Sequence, residues 1–129
     1  MYIGIDAGTS GIKAALVDED QRVLATRTEP LTSQSPHVGW SEQDPEAWWC
    51  ALLAAIDALR DSHPRAVAAV RGIGLSGQQH GAVLLDGGGR VLRPCILWND
   101  VRASAECTVF EQRFPDSRAV TGNIAMPGF

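Results

Sequence analysis

The chain has 129 residues, 45% hydrophobic and 20% charged, which is enough for one domain, or part of one, with a core of its own. Its formal charge is −4 and its eleven basic residues are scattered without a Lys/Arg run, so no surface suited to nucleic acid or to an anionic membrane is expected. Cys50, Cys95 and Cys107 are odd in number and lack C-x-x-C spacing, and His37, His63 and His80 lack ligand spacing, which argues against a disulfide framework and a structural zinc site.

Asp6 interrupts the amino terminus where a signal peptide needs an apolar stretch, and no run approaches membrane-spanning length, so a soluble cytoplasmic protein is expected. Tyr2, Ile3 and Ile5 form a short β-favouring run with Asp6 at its carboxyl end. The turn Ala7–Gly11 leads into a second strand, Ile12 to Val17, and Glu19-Asp20-Gln21 leads into a third, Arg22 to Thr28, making an antiparallel meander. Leu31 to Gln43 is rich in Ser, Pro, Gly and His and reads as an irregular connection. Asp44-Pro45-Glu46 starts a helix as cap, first-turn proline and dipole partner. Along it Trp49, Leu52, Ile56 and Leu59 recur at helical spacing as a core stripe.

Arg65 to Arg71 reads as a short helical turn before the apolar strand Gly72–Ser76, and the order strand, helix, strand implies a parallel pairing that extends the meander. Ala82–Leu85 and Val91–Leu92 flank Asp86-Gly-Gly-Gly-Arg90, a hairpin signal. Pro94–Trp98 is a further short strand, and Arg102–Phe114 a second helix with Ala105, Val109 and Phe114 facing inward. Val120–Phe129 reads as a loop with no closing element, so the chain looks cut.

Three constellations carry chemistry. Asp6 followed by Gly8, Thr9, Ser10 and Gly11, with Lys13 at the start of the next strand, suits a phosphate turn. Its glycines permit positive φ and close backbone approach, its hydroxyls donate, and Asp6 serves phosphates only through Mg²⁺. An ordinary hairpin turn has the same pattern, and both readings stay open. Gln78, Gln79 and His80, leaving a strand end, offer uncharged donors and acceptors suited to a polyhydroxylated ligand, or they form a polar surface loop. Asn99, Asp100 and Arg102 either join the same polar rim or cap the next helix and pair with each other.

Tyr2–Lys13 (YIGIDAGTSGIK), Trp40–Trp49 (WSEQDPEAWW), Gly74–Gly81 (GLSGQQHG), Val91–Arg102 (VLRPCILWNDVR) and Thr121–Phe129 (TGNIAMPGF) together resemble the amino-terminal part of the FGGY carbohydrate kinases, above all the members acting on xylulose. The resemblance implies an α/β fold of the actin-like, ribonuclease H-like ATPase type: an antiparallel three-stranded meander extended by parallel strands with flanking helices. Residues 1–129 would be an incomplete N-terminal sugar-kinase domain without the second, C-terminal actin-like domain. The activity implied for the full-length enzyme is ATP-dependent phosphorylation of D-xylulose to D-xylulose 5-phosphate, with ATP and Mg²⁺ as cofactors and a homodimer as a possible assembly. By this resemblance Asp6 serves the Mg²⁺ and phosphate end, and Gly8, Thr9, Ser10 and Lys13 approach the nucleotide phosphates. Gln79 and His80 contact the sugar, Asn99, Asp100 and Arg102 form or brace the cleft, and the general-base aspartate comes from the second half. Members acting on xylulose usually carry Met where this chain has Gln79. The alternatives are an FGGY kinase for glycerol, ribulose, gluconate or a deoxysugar, a non-catalytic sugar-binding module of the same fold, or an actin-like or chaperone-like ATPase.

Overall fold

The computed structural model describes Met1–Phe129, which form two compact units. The first comprises Met1–Thr32 and Asp44–Gln78, the second Ser33–Gln43 and Gln79–Phe129.

In the first unit the strands β1 (Tyr2–Ala7), β2 (Gly11–Val17), β3 (Val23–Pro30) and β5 (Gly72–Gly77) make one sheet in the order β3-β2-β1-β5. The short strand β4 (Glu42–Gln43) belongs to the second unit. β1 is antiparallel to β2 and parallel to β5, with Asp6 level with both Lys13 and Ser76. The expected meander and its parallel extension are therefore both present. Two-residue alternation sends Ile3, Ile5, Ile12, Ala14 and Leu16 to one buried face and leaves Gly4, Asp6 and Lys13 on the other.

The helix α1 (Pro45–Ser62) closes the buried face. Asp44 caps it as expected, its carboxylate accepting from the Glu46 N–H at 3.0 Å. Its core positions differ from the sequence reading: Ala51, Ala55 and Leu59 are buried, with Leu52, Ile56 and Trp48 packed beside them, while Trp49 is 57% exposed. Two alanines at i and i+4 let the helix backbone approach the sheet, so the stripe is centred on small residues and Trp49 falls outside it. Truncating the cap, Asp44→Ala, is expected to lower stability by about 1 kcal/mol, read by urea unfolding. A short helix, α2 (Pro64–Ala68), leads to β5.

The second unit is built on little regular structure. β4 pairs antiparallel with β6 (Cys95–Ile96), and single bridges join Gln34 to Glu42, Ala82 to Ile96 and Leu85 to Val91. The stretch read as an irregular connection thus ends in a strand, one too short for hydrophobic periodicity to reveal. The Asp86–Arg90 turn forms, closed by the Asp86 N–H to the Arg90 carbonyl, but its flanks make one bridge rather than a ladder. Two helices follow, α3 (Ser104–Arg113) and α4 (Ser117–Thr121), the latter ended by left-handed Gly122. No residue of α3 is buried: Val109 is 46% and Phe114 57% exposed, and Ala105 is exposed too, contrary to the inward face expected for them. The apolar residues of this segment are too few and too spread to form one stripe, and Phe114 lies instead against Phe110 with ring centroids 5.3 Å apart. No helix of the chain is long and apolar enough to cross a membrane.

Candidate functional site

The carboxyl ends of β1 and β5 gather the first set of groups. Because the two strands run parallel in register, Asp6 and Ser76 are neighbours, and the Ser76 hydroxyl donates to Asp6 Oδ1 at 2.9 Å. One turn further out, the Thr9 hydroxyl donates to Gln78 Oε1 at 2.9 Å, and the Gln78 N–H donates to the Ala7 carbonyl. Ser76 and Gln78 were not among the residues assigned to the phosphate end. Their signal was topological: a strand parallel to β1 must end beside Asp6.

The turn between β1 and β2 is closed by the Gly8 N–H donating to the Gly11 carbonyl at 3.1 Å, and the Ser10 carbonyl receives the Leu31 N–H. Neither Gly8 nor Gly11 adopts the positive φ that the sequence allowed. Gly11 is needed for close approach instead, since a Cβ there would lie 2.7 Å from the Glu29 carbonyl oxygen. The Gly8 amide is spent inside the turn. Ser10, Lys13 and Asp6 are exposed. On the sheet face opposite α1, Asp6, Lys13 and Ser76 border a depression of about 390 Å³ floored by Gly4 and Gly74, where missing side chains leave the room. The donor set offers one exposed carboxylate and no cluster of three acidic, His or Cys side chains. That fits Mg²⁺, which keeps waters and shares phosphate oxygens, and not a cation needing an all-protein cage.

In the second unit Asp100 is the centre of a buried polar network. Its Oδ2 accepts from the Ser41 N–H at 2.7 Å and Arg102 Nη2 at 2.7 Å, and its Oδ1 from the Arg102 N–H and Nε at 2.9 Å each. Four donors thus occupy a carboxylate that is 1% exposed. Arg102 also reaches Glu42 at 2.7 Å, which Arg93 meets from another side at 2.6 Å, and its guanidinium lies 3.6 Å from the Trp40 ring centroid. Hydrogen bonding from Arg102 holds the Asp100 carboxyl at about 2, against an ordinary 3.8, and the same contact raises the Arg102 guanidinium. This network welds the 39–43 segment to the 100–102 segment and commits both charged side chains to each other. The exposed Asn99 amide beside them has no protein partner.

Gln79 and His80 are likewise exposed and make no hydrogen bond to protein. His80 has the left-handed φ of 64°, and its imidazole stacks on the Phe129 ring with centroids 3.9 Å apart and planes inclined by 10°. Both rings line a cavity of about 480 Å³, shared with Glu106, Asn123 and Met126.

The N-terminal domain of the FGGY family of carbohydrate kinases matches residues 1–129. Xylulose kinase of Escherichia coli (strain K12) is 56% identical over 129 residues, 100% of this chain and 26% of that protein. Among proteins of known structure, the xyloylose (xylulose) kinase of Brucella ovis superposes with a TM-score of 0.95 at 54% identity, covering 99% of this chain and 27% of that one. The xylulose kinase of Rhodospirillum rubrum does so with a TM-score of 0.85 at 35% identity, covering 89% and 24%. The chain therefore spans about a quarter of the length of the relatives it matches. The mixed sheet, antiparallel through β3-β2-β1 and parallel from β1 to β5, is that of the actin-like ATPase fold these kinases share. On both sequence and fold, the chain belongs to the FGGY family of carbohydrate kinases.

Proposed function

We propose that this chain supplies the phosphate end and part of the sugar-binding surface of a kinase that transfers the γ-phosphoryl group of ATP to D-xylulose, yielding D-xylulose 5-phosphate. The observation that carries the reading is the junction of Asp6 with Ser76 and of Thr9 with Gln78 at two parallel strand ends, in a chain so close to xylulose kinases.

Asp6 is the group that would hold Mg²⁺, and a magnesium ion there would supply charge screening for the transferring phosphoryl group. Ser76 fixes the carboxylate orientation by its hydrogen bond. Lys13, free of any ion pair, offers its ammonium to phosphate oxygens, and the Ser10 hydroxyl can donate beside it. Thr9 and Gly8 act by shaping the turn, Thr9 through Gln78 and Gly8 through its bond to Gly11. Gln79, His80 and Asn99 carry uncommitted hydrogen-bonding groups suited to sugar hydroxyls, whereas Asp100 and Arg102 brace the loop bearing Asn99.

The general base that takes the hydroxyl proton is an aspartate outside these 129 residues. This chain alone is therefore expected to release no ADP from ATP and xylulose in a coupled assay, and sustained turnover by it would overturn the assignment of the base. The sugar is tested separately: a full-length kinase carrying this segment, offered ketoses and polyols in turn, should show its highest kcat/KM with D-xylulose. Preference for glycerol or gluconate would remove that substrate while leaving the kinase reading intact. The same protein is proposed to be cytoplasmic and to form a homodimer, which sedimentation would test.

A further inference from the structure

We propose that Phe129 is the positioning residue of His80: its ring is the platform that fixes the imidazole plane and leaves the imidazole edge for sugar hydroxyls. The inference rests on the sugar role given to His80 above.

His80 stands on an exposed, irregular segment between β5 and the bridge at Ala82, where an unrestrained side chain would sample several rotamers. Two features restrain it. Its left-handed backbone, unusual for a residue with a Cβ, sets the direction in which the side chain leaves the chain. The near-parallel stack at 3.9 Å then sets the plane of the ring. Stacking uses only a face of the imidazole. Both ring nitrogens lie on the edge, and no protein group claims either of them. An imidazole with a fixed plane and free nitrogens can donate to one hydroxyl and accept from another without first losing rotational freedom.

The platform is itself secured. Phe129 closes a turn through its N–H to the Met126 carbonyl at 3.1 Å. Gly128 is buried against the carbonyls of Leu97 and Trp98, with which any Cβ would collide. Upstream, the Ala125 N–H donates to Glu111 Oε1 at 3.0 Å, and Arg118 grips the same carboxylate through two bonds of 2.6 and 3.0 Å. The segment Ala125–Phe129 is thus tied to the rest of its unit at two points and closed on itself by its own turn.

The first test uses this chain. The carbon-bound ring protons of His80, assigned through His80→Gln, should resonate upfield in the wild type because they lie over the phenyl face. Phe129→Leu should release that shift and Phe129→Tyr should keep it; an unshifted wild-type signal would overturn the stack. The second uses a full-length kinase carrying this segment. Phe129→Leu is expected to raise the ketose KM about tenfold with the ATP KM unchanged, and Phe129→Tyr to restore it to within about threefold. A ketose KM unmoved by Phe129→Leu but raised by His80→Ala would end the positioning role and leave the sugar role standing. Equal rises in both KM values for Phe129→Leu would mark a merely structural residue. If His80→Ala itself leaves the ketose KM unchanged, the sugar role of His80 and the proposal built on it fall together.

Discussion

Asp6→Asn, in a full-length kinase carrying this segment, is expected to lower kcat roughly a thousandfold while the ketose KM moves by less than about threefold. The substitution is nearly isosteric, and the side-chain carbonyl that remains can still accept the Ser76 hydroxyl, so the joint between β1 and β5 is kept. What is lost is the negative charge, and Asp6 is the acidic residue among those lining the depression at this strand end. The loss should fall on kcat because charge on the transferring phosphoryl group must be stabilised in the transition state, whereas the groups proposed for the ketose, Gln79, His80 and Asn99, are amides and an imidazole. Raising the Mg²⁺ concentration should recover part of the rate. Wild-type kcat in Asp6→Asn would remove this residue from the phosphate end. A matched rise in ketose KM would mean that the sugar surface depends on it as well. The substitution should leave thermal unfolding nearly unchanged, because the side chain is exposed and contributes nothing to the face covered by α1.

Asp100→Ala should destabilise the unit that carries it by about 3–5 kcal/mol, measured by urea unfolding. The mutation leaves the Ser41 N–H without its acceptor and strips the 15%-exposed Arg102 side chain of its bidentate partner, with only Glu42 to offset its charge. A loss below about 1 kcal/mol would show that the network is a surface ornament of the kind that exposed ion pairs usually are. The same carboxylate makes stability depend on pH in a definite direction. Its folded value of about 2 lies below the 3.8 of a free aspartate, so between those values the unfolded chain binds a proton that the folded chain refuses. Stability from this group is complete above the unfolded value and disappears as pH falls through the folded one, an effect of about 2 kcal/mol. Glu111 and Asp86 are also depressed, by Arg118 and by bonds from Arg90, and add to the slope at acid pH. The contribution of Asp100 is therefore isolated by subtraction: Asp100→Asn should flatten the curve between pH 2 and 4 and, from pH 5 to 8, lower it without altering its slope. An unaltered slope would sink the assignment.

The two constellations differed in how much the sequence disclosed, and the difference is one of range. Asp6, the turn and Lys13 lie within eight residues, so the sequence brought them together as one candidate group, and the hairpin register then sets Asp6 level with Lys13. Local chemistry also announced the start of α1, where Asp44, Pro45 and Glu46 satisfy the free end of the helix. For Asp100 the sequence left two readings, cap or ligand contact, because the deciding partners, Ser41 and Glu42, stand nearly sixty residues away in a segment without periodicity. The His80 stack spans forty-nine residues and has no local signature at all.

Alternating apolar strands and a capped helix were enough by themselves to define the meander and the start of α1, which rest on contacts between near neighbours; the order strand, helix, strand pointed to the parallel extension, and the resemblance of five sequence segments pointed to the family. Only the tertiary structure decided that Ser76 bonds to Asp6 and Gln78 to Thr9, that Asp100 and Arg102 spend their charges on each other, and that Phe129 lies under His80. Those pairings are set by chain closure over tens of residues, where hydrogen-bond valence and packing choose among partners that look equivalent along a linear chain.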